Sequence, residues 1–550
     1  MDNKKLAELL FPDIKETTQD IEKRYPERNL AEGAKVTRFA PSPTGFLHIG
    51  GLFAAFAAER TAHKTGGVFY LRIEDTDKKR EIENGVTGIV SGLKQFGIKI
   101  DEGMMTETEE TGNYGPYTQS RRRDIYRTYC KSLVEQGLAY PCFCSAEELD
   151  AVRKKQEENK QNPGYYGEFA HCRNLTFEDI EENIKAGKPY VVRLKSPGSE
   201  DRRISFDDAI KGTIEMPENV QDIVLLKTDG IPTYHFAHAI DDHLMGTTDV
   251  IRGDEWISSA PIHLQLFEIL GFKTPRYAHI SPIMKEDAQT GGKRKLSKRK
   301  DPEAAVTYYH EAGYPKEAVL EYLLTIANSD FEEWRAANPD VPFDDFDFKL
   351  SNMSKAGALF DLMKLNDISK NYICRLSADE VYDGVYGWAE KYNTDFAKLL
   401  ADNEEYSIRI FSIERGNEKP RKDIAKWQDA VGYTQYFFFA PTEYDWPDNL
   451  SGADMIEILE TYKKVYSPHE TAEEWFPKVR EMAESLGYAK APKLYKKNPD
   501  DFKGHVGDVA SVIRVAVTGR RNTPDLYEIL QTVGYNEFLP RVDKAIENLK

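Results

Sequence analysis

The sequence predicts an α/β nucleotide-binding domain on a parallel sheet, split by an insertion and followed by a helical C-terminal half. Three observations carry this reading. Residues 35–40 can alternate as a strand, a Pro/Gly-rich turn follows, and residues 52–63 are apolar at helical spacing. Residues 68–73, Val-Phe-Tyr-Leu-Arg-Ile, are apolar enough for a strand covered on both faces, as strands of parallel sheets are. From residue 311 onward the pattern is helical, with amphipathic segments at 455–465 and 471–486.

Length and composition bound the rest. A chain of 550 residues calls for about three to five units. An apolar content of 40% supports real cores, and no apolar run is long enough to span a bilayer. The opening Met1-Asp2-Asn3-Lys4-Lys5-Leu6 lacks a signal-peptide pattern. Five cysteines in this length argue against a disulfide scaffold and for a reducing compartment. The expectation is a cytoplasmic protein with no membrane partner. A net charge of −18 disfavours non-specific binding of polyanions. Local basic clusters, among them Arg121-Arg122-Arg123, Lys293-Arg294-Lys295 and Arg520-Arg521, leave room for a defined polyanion track. Taken singly, each cluster also fits a solvated helix face.

The first strand–turn–helix places His48, Gly50 and Gly51 at a helix N-terminus, where free N–H groups and the helix dipole favour phosphate. A turn that merely packs is the plainer alternative. A dinucleotide-binding dehydrogenase would need Gly-x-Gly-x-x-Gly here, and the turn has none. Glu74 follows the second strand, at the carboxyl end where ligands of parallel sheets bind, and could meet a cation. Far along the chain, Gly291-Gly292 precede Lys295-Leu296-Ser297-Lys298-Arg299, two lysines three apart on a hinged loop.

The string Arg38-Phe-Ala-Pro-Ser-Pro-Thr-Gly-Phe-Leu-His-Ile-Gly-Gly51 resembles the first signature of class I aminoacyl-tRNA synthetases, in the glutamyl form with Gly51 at the last position. The loop at 295–299 resembles their second signature. Arg72-Ile-Glu-Asp-Thr-Asp77 is similar to the glutamyl rather than the glutaminyl members. Residues 360–365 and 514–530 resemble the stem-contact region and the terminal helical segment of the bacterial glutamyl group, although Asp367 replaces a usual Trp.

The resemblance implies a Rossmann-like catalytic domain in two halves, 35–112 and 221–310. An α+β acceptor-end domain at 113–220 would be inserted between them. A helical stem-contact region at 311–390 and an all-α anticodon-binding region at 391–550 would follow. Residues 1–34 remain an unassigned appendage. The implied reaction is ATP-dependent ligation of L-glutamate to the 3′ end of tRNA(Glu) through glutamyl-adenylate, by a monomer. His48, Lys295 and Lys298 would be catalytic. His48, Gly50, Gly51, Leu296 and Lys298 would hold ATP, which brings Mg2+. Arg38, Ala40, Ser42, Glu74, Tyr234, His238 and Arg252 would hold glutamate, with His238 in place of a frequent Asn. Which arginine takes the side-chain carboxylate stays open. So does charging of tRNA(Gln) with glutamate. The string at 72–77 disfavours a glutaminyl enzyme, and the intact His48, Lys295 and Lys298 count against a non-catalytic tRNA-binding relative. Cys142, Cys144 and Cys172 could ligate zinc. Asn174 stands where a family His would complete the set, leaving His171, Tyr165 or Tyr166 as fourth ligand. Three reduced thiols packed together are the alternative.

Overall fold

The computed structural model describes residues 2–76, 82–287, 289–297 and 299–550. Internal contacts divide the chain into two units, residues 1–308 with 323–361, and residues 309–322 with 362–550.

In the first unit, the residues before the first strand form α1 (Asn3–Leu10) and α2 (Thr18–Arg24). Thr17 and Asp20 close a reciprocal capping box on α2. Strand β1 (Val36–Phe39) leads through the Pro/Gly turn into α3 (Ile49–His63), and β2 (Val68–Leu71) returns parallel to β1. The return is tight at Gly67, where a Cβ would lie 1.8 Å from the Lys35 carbonyl oxygen. Only glycine fits there. Helix α4 (Gly85–Gln95) crosses to β3 (Glu102–Met104), parallel to β2, and β4 (Glu110–Thr111) closes the sheet antiparallel.

The chain then builds α5 (Arg123–Glu135), β5 (Ala139–Cys142), α6 (Ala146–Glu158), α7 (Phe177–Lys185), β6 (Val191–Leu194), β7 (Arg203–Asp208), β8 (Gly212–Pro217) and β9 (Val224–Leu226). Next come α8 (Tyr234–Leu244), β10 (Asp249–Gly253), α9 (Ala260–Leu270) and β11 (Arg276–Ile280). A second four-stranded sheet runs β10-β11-β7-β8, its first three strands parallel. It meets the first sheet where Thr248 N–H donates to the Val36 carbonyl (2.9 Å) and Val36 N–H donates to Thr248 Oγ1 (2.8 Å).

Strand pairing departs from chain order. Strand β9 falls in the range 221–310 expected to form the second half, yet it pairs with β6 in a separate antiparallel sheet, β5-β6-β9. Conversely β7, drawn from residues expected in the insert, joins β11. Alternation in a sequence tells which face of a strand is buried, not which strand its N–H groups will meet. Helix α9 begins at Ala260, after residues 254–259 form a 3-10 turn, and Pro261 sits in the first α turn, where its missing N–H costs nothing.

The second unit is helical. Its larger core interleaves Ile458 and Leu459 with Val512, Ile513, Ile529 and Val542. The fully buried Arg541 donates to the carbonyls of Tyr436, Phe437 and Val517, at the C-terminal ends of the helices Asp429–Phe438 and Val506–Thr518. A cation there meets orphan carbonyls and the negative ends of two helix dipoles. Leu459 has no exposed surface, so Leu459→Ala should cost about 2–5 kcal/mol of stability in chemical denaturation.

Candidate active site

The carboxyl ends of β1, β2 and β10 open into a cavity of about 500 Å³. The turn after β1 forms one wall. His48 caps α3, its Nδ1 accepting the Gly51 N–H at 2.8 Å, which leaves the ring proton on Nε2. A side chain at Gly50 would press on that ring, its Cβ 3.1 Å from Nδ1 and 3.2 Å from Cε1. The turn thus joins a helix N-terminus, bare backbone and a fixed imidazole, the elements of an anion site.

Helix α8 forms the opposite wall. Tyr234 lies in its first turn, and His238, Asp241 and Asp242 follow at helical spacing on the inward face. The Asp242 side chain has no exposed surface and accepts from Arg72 Nη1 (2.6 Å), Arg38 Nε (3.2 Å) and Tyr70 Oη (3.3 Å). Asp241 accepts from Arg122 Nε (2.7 Å), Tyr126 Oη (2.8 Å) and Gln119 Nε2 (3.0 Å). Burial opposes ionisation of Asp242, but Arg38, Arg72 and His238 outweigh it and hold its pKa well below the carboxylate range. Glu74 fares differently. Burial pushes its pKa up from 4.5 to about 7, against the pull of Arg72 and Arg38.

Arg252, at the end of β10, is 6% exposed and lines the cavity. Its Nε donates to His279 Nε2 (3.0 Å), and His279 Nδ1 lies 2.6 Å from Asp208. Its Nη1 lies 3.1 Å from His263 Nδ1, and His263 Nε2 lies 2.9 Å from His235 Nδ1. Burial, assisted by neighbouring charge, keeps His263 neutral far below its ordinary value and lowers His235 to about 4. Neutral rings can accept from a guanidinium; imidazolium rings could not. Among the described residues no carboxylate pairs with Arg252. A buried cation in a cavity wall without an anion is a receptor for one.

The lysine loop reaches the same cavity. Strands β12 (Met284–Glu286) and β13 (Lys293–Lys295) form a hairpin, and Lys295 and Leu296 line the cavity together with His48. Arg294 forks onto Asp301 at 2.6 and 2.7 Å, and Ala305 bridges to His48 in the backbone. Segments far apart in the chain, around His48 and Lys295, therefore share one site.

A family model described as "tRNA synthetases class I (E and Q), catalytic domain" matches residues 35–367, and one described as "Anticodon binding domain" matches 419–546. The glutamate–tRNA ligase of Clostridium perfringens (strain 13 / Type A) is 50% identical over 98% of this chain and 100% of its own length. That of Acetivibrio thermocellus is 50% identical over 99% and 100%. The crystal structure of a glutamate tRNA ligase from Elizabethkingia meningosepticum, in complex with its amino acid, superposes with a TM-score of 0.75 at 31% identity, covering 94% of this chain and 100% of that one. The chain belongs to the class I tRNA synthetases of the E and Q type.

Of the residues singled out in this synthetase's sequence, the cavity gathers Arg38, Ala40, Ser42, His48, Gly50, Gly51, Glu74, Tyr234, Arg252, Lys295 and Leu296. Lys298 lies outside the described residues. His238, expected to touch glutamate, does not line the cavity. It is fully buried behind Tyr234, its ring stacked on that tyrosine at 5.9 Å, and its Nε2 lies 3.0 Å from Tyr277 Oη. Its Nδ1 is 2.7 Å from Asp242 without hydrogen-bond alignment. One helical turn beyond Tyr234, it faces the core rather than the opening. Sequence reasoning missed Trp256, packed against Tyr234 with ring centroids 4.3 Å apart and planes tilted by 37°, and the imidazoles that hold Arg252. The adjacent Asp241-Asp242, seven and eight residues after Tyr234, could have signalled a buried charge network, because that spacing returns to the same helix face.

The cysteine trio is assembled. The sulfurs of Cys142, Cys144 and Cys172 lie within 4.8 Å of one another, with Cys144 and Cys172 3.6 Å apart. Of the three candidate fourth ligands, Tyr165 points its hydroxyl at the trio, 3.2 Å from Cys144 Sγ. Tyr166 bonds instead to the Asn162 carbonyl, and His171 is exposed.

The shift at Glu74 has a sign. Burial favours its neutral form, so stability contributed by the bound proton is lost as pH rises from 4.5 through about 7, while the charge that could meet an ammonium is gained. The kcat/KM for an amino-acid substrate should therefore fall as pH drops below about 7, and Glu74→Gln should flatten that limb, as read from pH profiles of ATP–pyrophosphate exchange.

Proposed function

We propose that this synthetase joins L-glutamate to the 3′ end of tRNA(Glu) at the cavity between α3 and α8, using ATP. The observation that carries the site reading is Arg252, a buried guanidinium in the cavity wall held, among the described residues, by neutral imidazoles, a carbonyl and the face of Tyr277, with no carboxylate paired to it. Arg38, held by its Nε on Asp242, faces the same space. Each arginine would take one carboxylate of glutamate, with Glu74 on the α-ammonium and Ser42 and Tyr234 as hydrogen-bonding groups.

The triphosphate would lie on the N-terminus of α3, over His48, Gly50 and Gly51, with Leu296 beside the nucleotide. A carboxylate oxygen attacks the α-phosphorus, the bond to the bridging oxygen breaks, and pyrophosphate leaves. The nucleophile is already ionised at neutral pH, so no general base is required. The protein's task is to bring two anions together, which placement and fixed positive charge accomplish. Lys295 and Lys298 would neutralise charge gathering on the leaving phosphates. The terminal ribose hydroxyl of the tRNA then attacks the mixed anhydride carbonyl and gives up its proton, and AMP departs. Magnesium would travel with ATP, held mainly by phosphates and water. Five free cysteines suit a reducing cytoplasm, and among the described residues no helix is long and apolar enough to cross a membrane. We take the working form to be a monomer.

The cysteine trio suits zinc. A tetrahedral ion with zinc–sulfur bonds of about 2.3 Å sets sulfurs about 3.8 Å apart, close to the 3.6 Å between Cys144 and Cys172. Cys142, Cys144 and Cys172 with the Tyr165 hydroxyl would supply four donors, and the ion would brace the knot between β5 and the 3-10 turns. Elemental analysis should find one zinc per chain, and Cys144→Ser should lose it.

Charging of separated tRNA isoacceptors with each amino acid tests the whole reading: glutamate on tRNA(Glu) is expected, and acceptance of glutamine in its place would overturn it. Lys295→Ala should cut ATP–pyrophosphate exchange by about 10²–10³ while filter binding of tRNA stays near wild type. Equal loss of both would reassign the loop to tRNA binding.

A further inference from the structure

We propose that residues 1–34 are a positioning device for the amino-acid site, with Arg28 as the positioning residue. This rests on the reading of Arg38 as a glutamate contact. The leader lies outside the matched catalytic family region, which begins at residue 35.

The leader makes two kinds of contact. Its first part rests on α5 through the buried Leu6, Ala7 and Leu10 of α1 and through solvent-facing pairs such as Asp13 with Arg127 (2.6 Å), the carboxylate 59% exposed. Such pairs are weak and indifferent to the site. After α2 the contacts are buried. The Arg28 side chain is 7% exposed. Its Nη1 and Nη2 fork onto Glu102 of β3 at 2.9 Å each, its Nε donates to the Met245 carbonyl at 2.8 Å, and its guanidinium lies 3.8 Å over the Tyr114 ring. Met245 is the C-cap of α8. One side chain thus ties the first parallel sheet to the end of the helix that carries Asp241 and Asp242.

Two further leader residues hold the same helix. Glu22 lies 3.0 Å from His243 Nε2. Tyr25 Oη accepts from Arg122 Nη1 at 3.1 Å, and Arg122 grips Asp241. Asp242 therefore sits between three points fastened to the leader, and Asp242 is the carboxylate that aims Arg38. Freeing the end of α8 lets Asp242 shift and turns the Arg38 guanidinium away from its direction into the cavity. The phosphate side of the cavity, on α3 and the lysine hairpin, takes no part in these contacts. The leader should therefore act on glutamate and not on ATP.

The test uses the full chain and the glutamate and ATP dependence of ATP–pyrophosphate exchange with tRNA present. Arg28→Gln and Arg28→Lys should raise the KM for glutamate about tenfold and leave that for ATP within about twofold, a displacement effect of the size expected for a misplaced binding group. Arg28→Lys keeps the charge and can fold even where Arg28→Gln does not; it loses the fork and the Nε bond. Asp13→Ala, elsewhere on the leader, should change neither KM. Unchanged glutamate KM in a folded Arg28 variant, both KM values moving together, or the same effect from Asp13→Ala would each overturn the proposal. Arg38→Ala separates the two readings. If it leaves the glutamate KM unchanged, the site reading fails and the proposal with it. If it raises that KM while the Arg28 variants are silent, the positioning role alone fails.

Discussion

Asp242 carries a carboxylate with no exposed surface, and Arg38 and Arg72 both turn toward it. An isolated charge in that place would be prohibitive, and removing one member of such a buried pair costs about 3–5 kcal/mol. The pair is therefore under strong geometric constraint. Arg38 belongs to β1, Arg72 directly follows β2, and the aspartate belongs to α8, so the interaction fixes the first sheet against a helix far along the chain. Arg122, Tyr126 and Gln119 do the same around Asp241, and bring the start of α5 into the arrangement.

That constraint leaves the cavity with an uneven distribution of charge. A carboxylate behind the wall satisfies one side of Arg38, while among the described residues Arg252 is supported by imidazoles that burial keeps neutral, by the Trp256 carbonyl and by the Tyr277 ring. A protein that bound a cation here would be expected to line the cavity with acid. This one exposes guanidinium groups, a capped helix N-terminus and a lysine hairpin to a common space, with two carboxyls on its lining: Glu74, poised near neutrality, and Glu255, 3.6 Å from Lys295 Nζ. In the proposed reaction the reactants are two anions, and catalysis by position and fixed charge is the chemistry such a wall can offer.

The outlying parts serve rigidity in different ways. The second unit uses aliphatic interleaving and a buried arginine spanning two helix ends, a structure with no demand on titration. The sulfur knot beside β5 gathers three thiols where a short antiparallel sheet alone buries little apolar surface. The leader applies pressure at the end of α8, distant from the chemistry yet bonded to the groups that orient it.

Local physics made much of this protein legible in its residues. The strand–turn–helix at 36–63, the buried run at β2 and the amphipathic helices of the C-terminal half depend on neighbours in the chain, and periodicity records them. The family was equally legible, because the turn after β1 and the lysine loop are short strings whose residue types the phosphate chemistry restricts. Partners across the fold were not. Nothing in the run at 222–227 marks it for β6, since strand pairing is decided by which backbone edge arrives alongside. His238 read as a contact from its position in a string, yet the turn of α8 carries it behind Tyr234. The neutrality of His263, the raised pKa of Glu74 and the reach of Arg28 to the cap of α8 all arise from burial and distance between residues far apart in sequence. Only the tertiary structure decides those, because a side chain's charge state and direction are set by what folding removes from water around it.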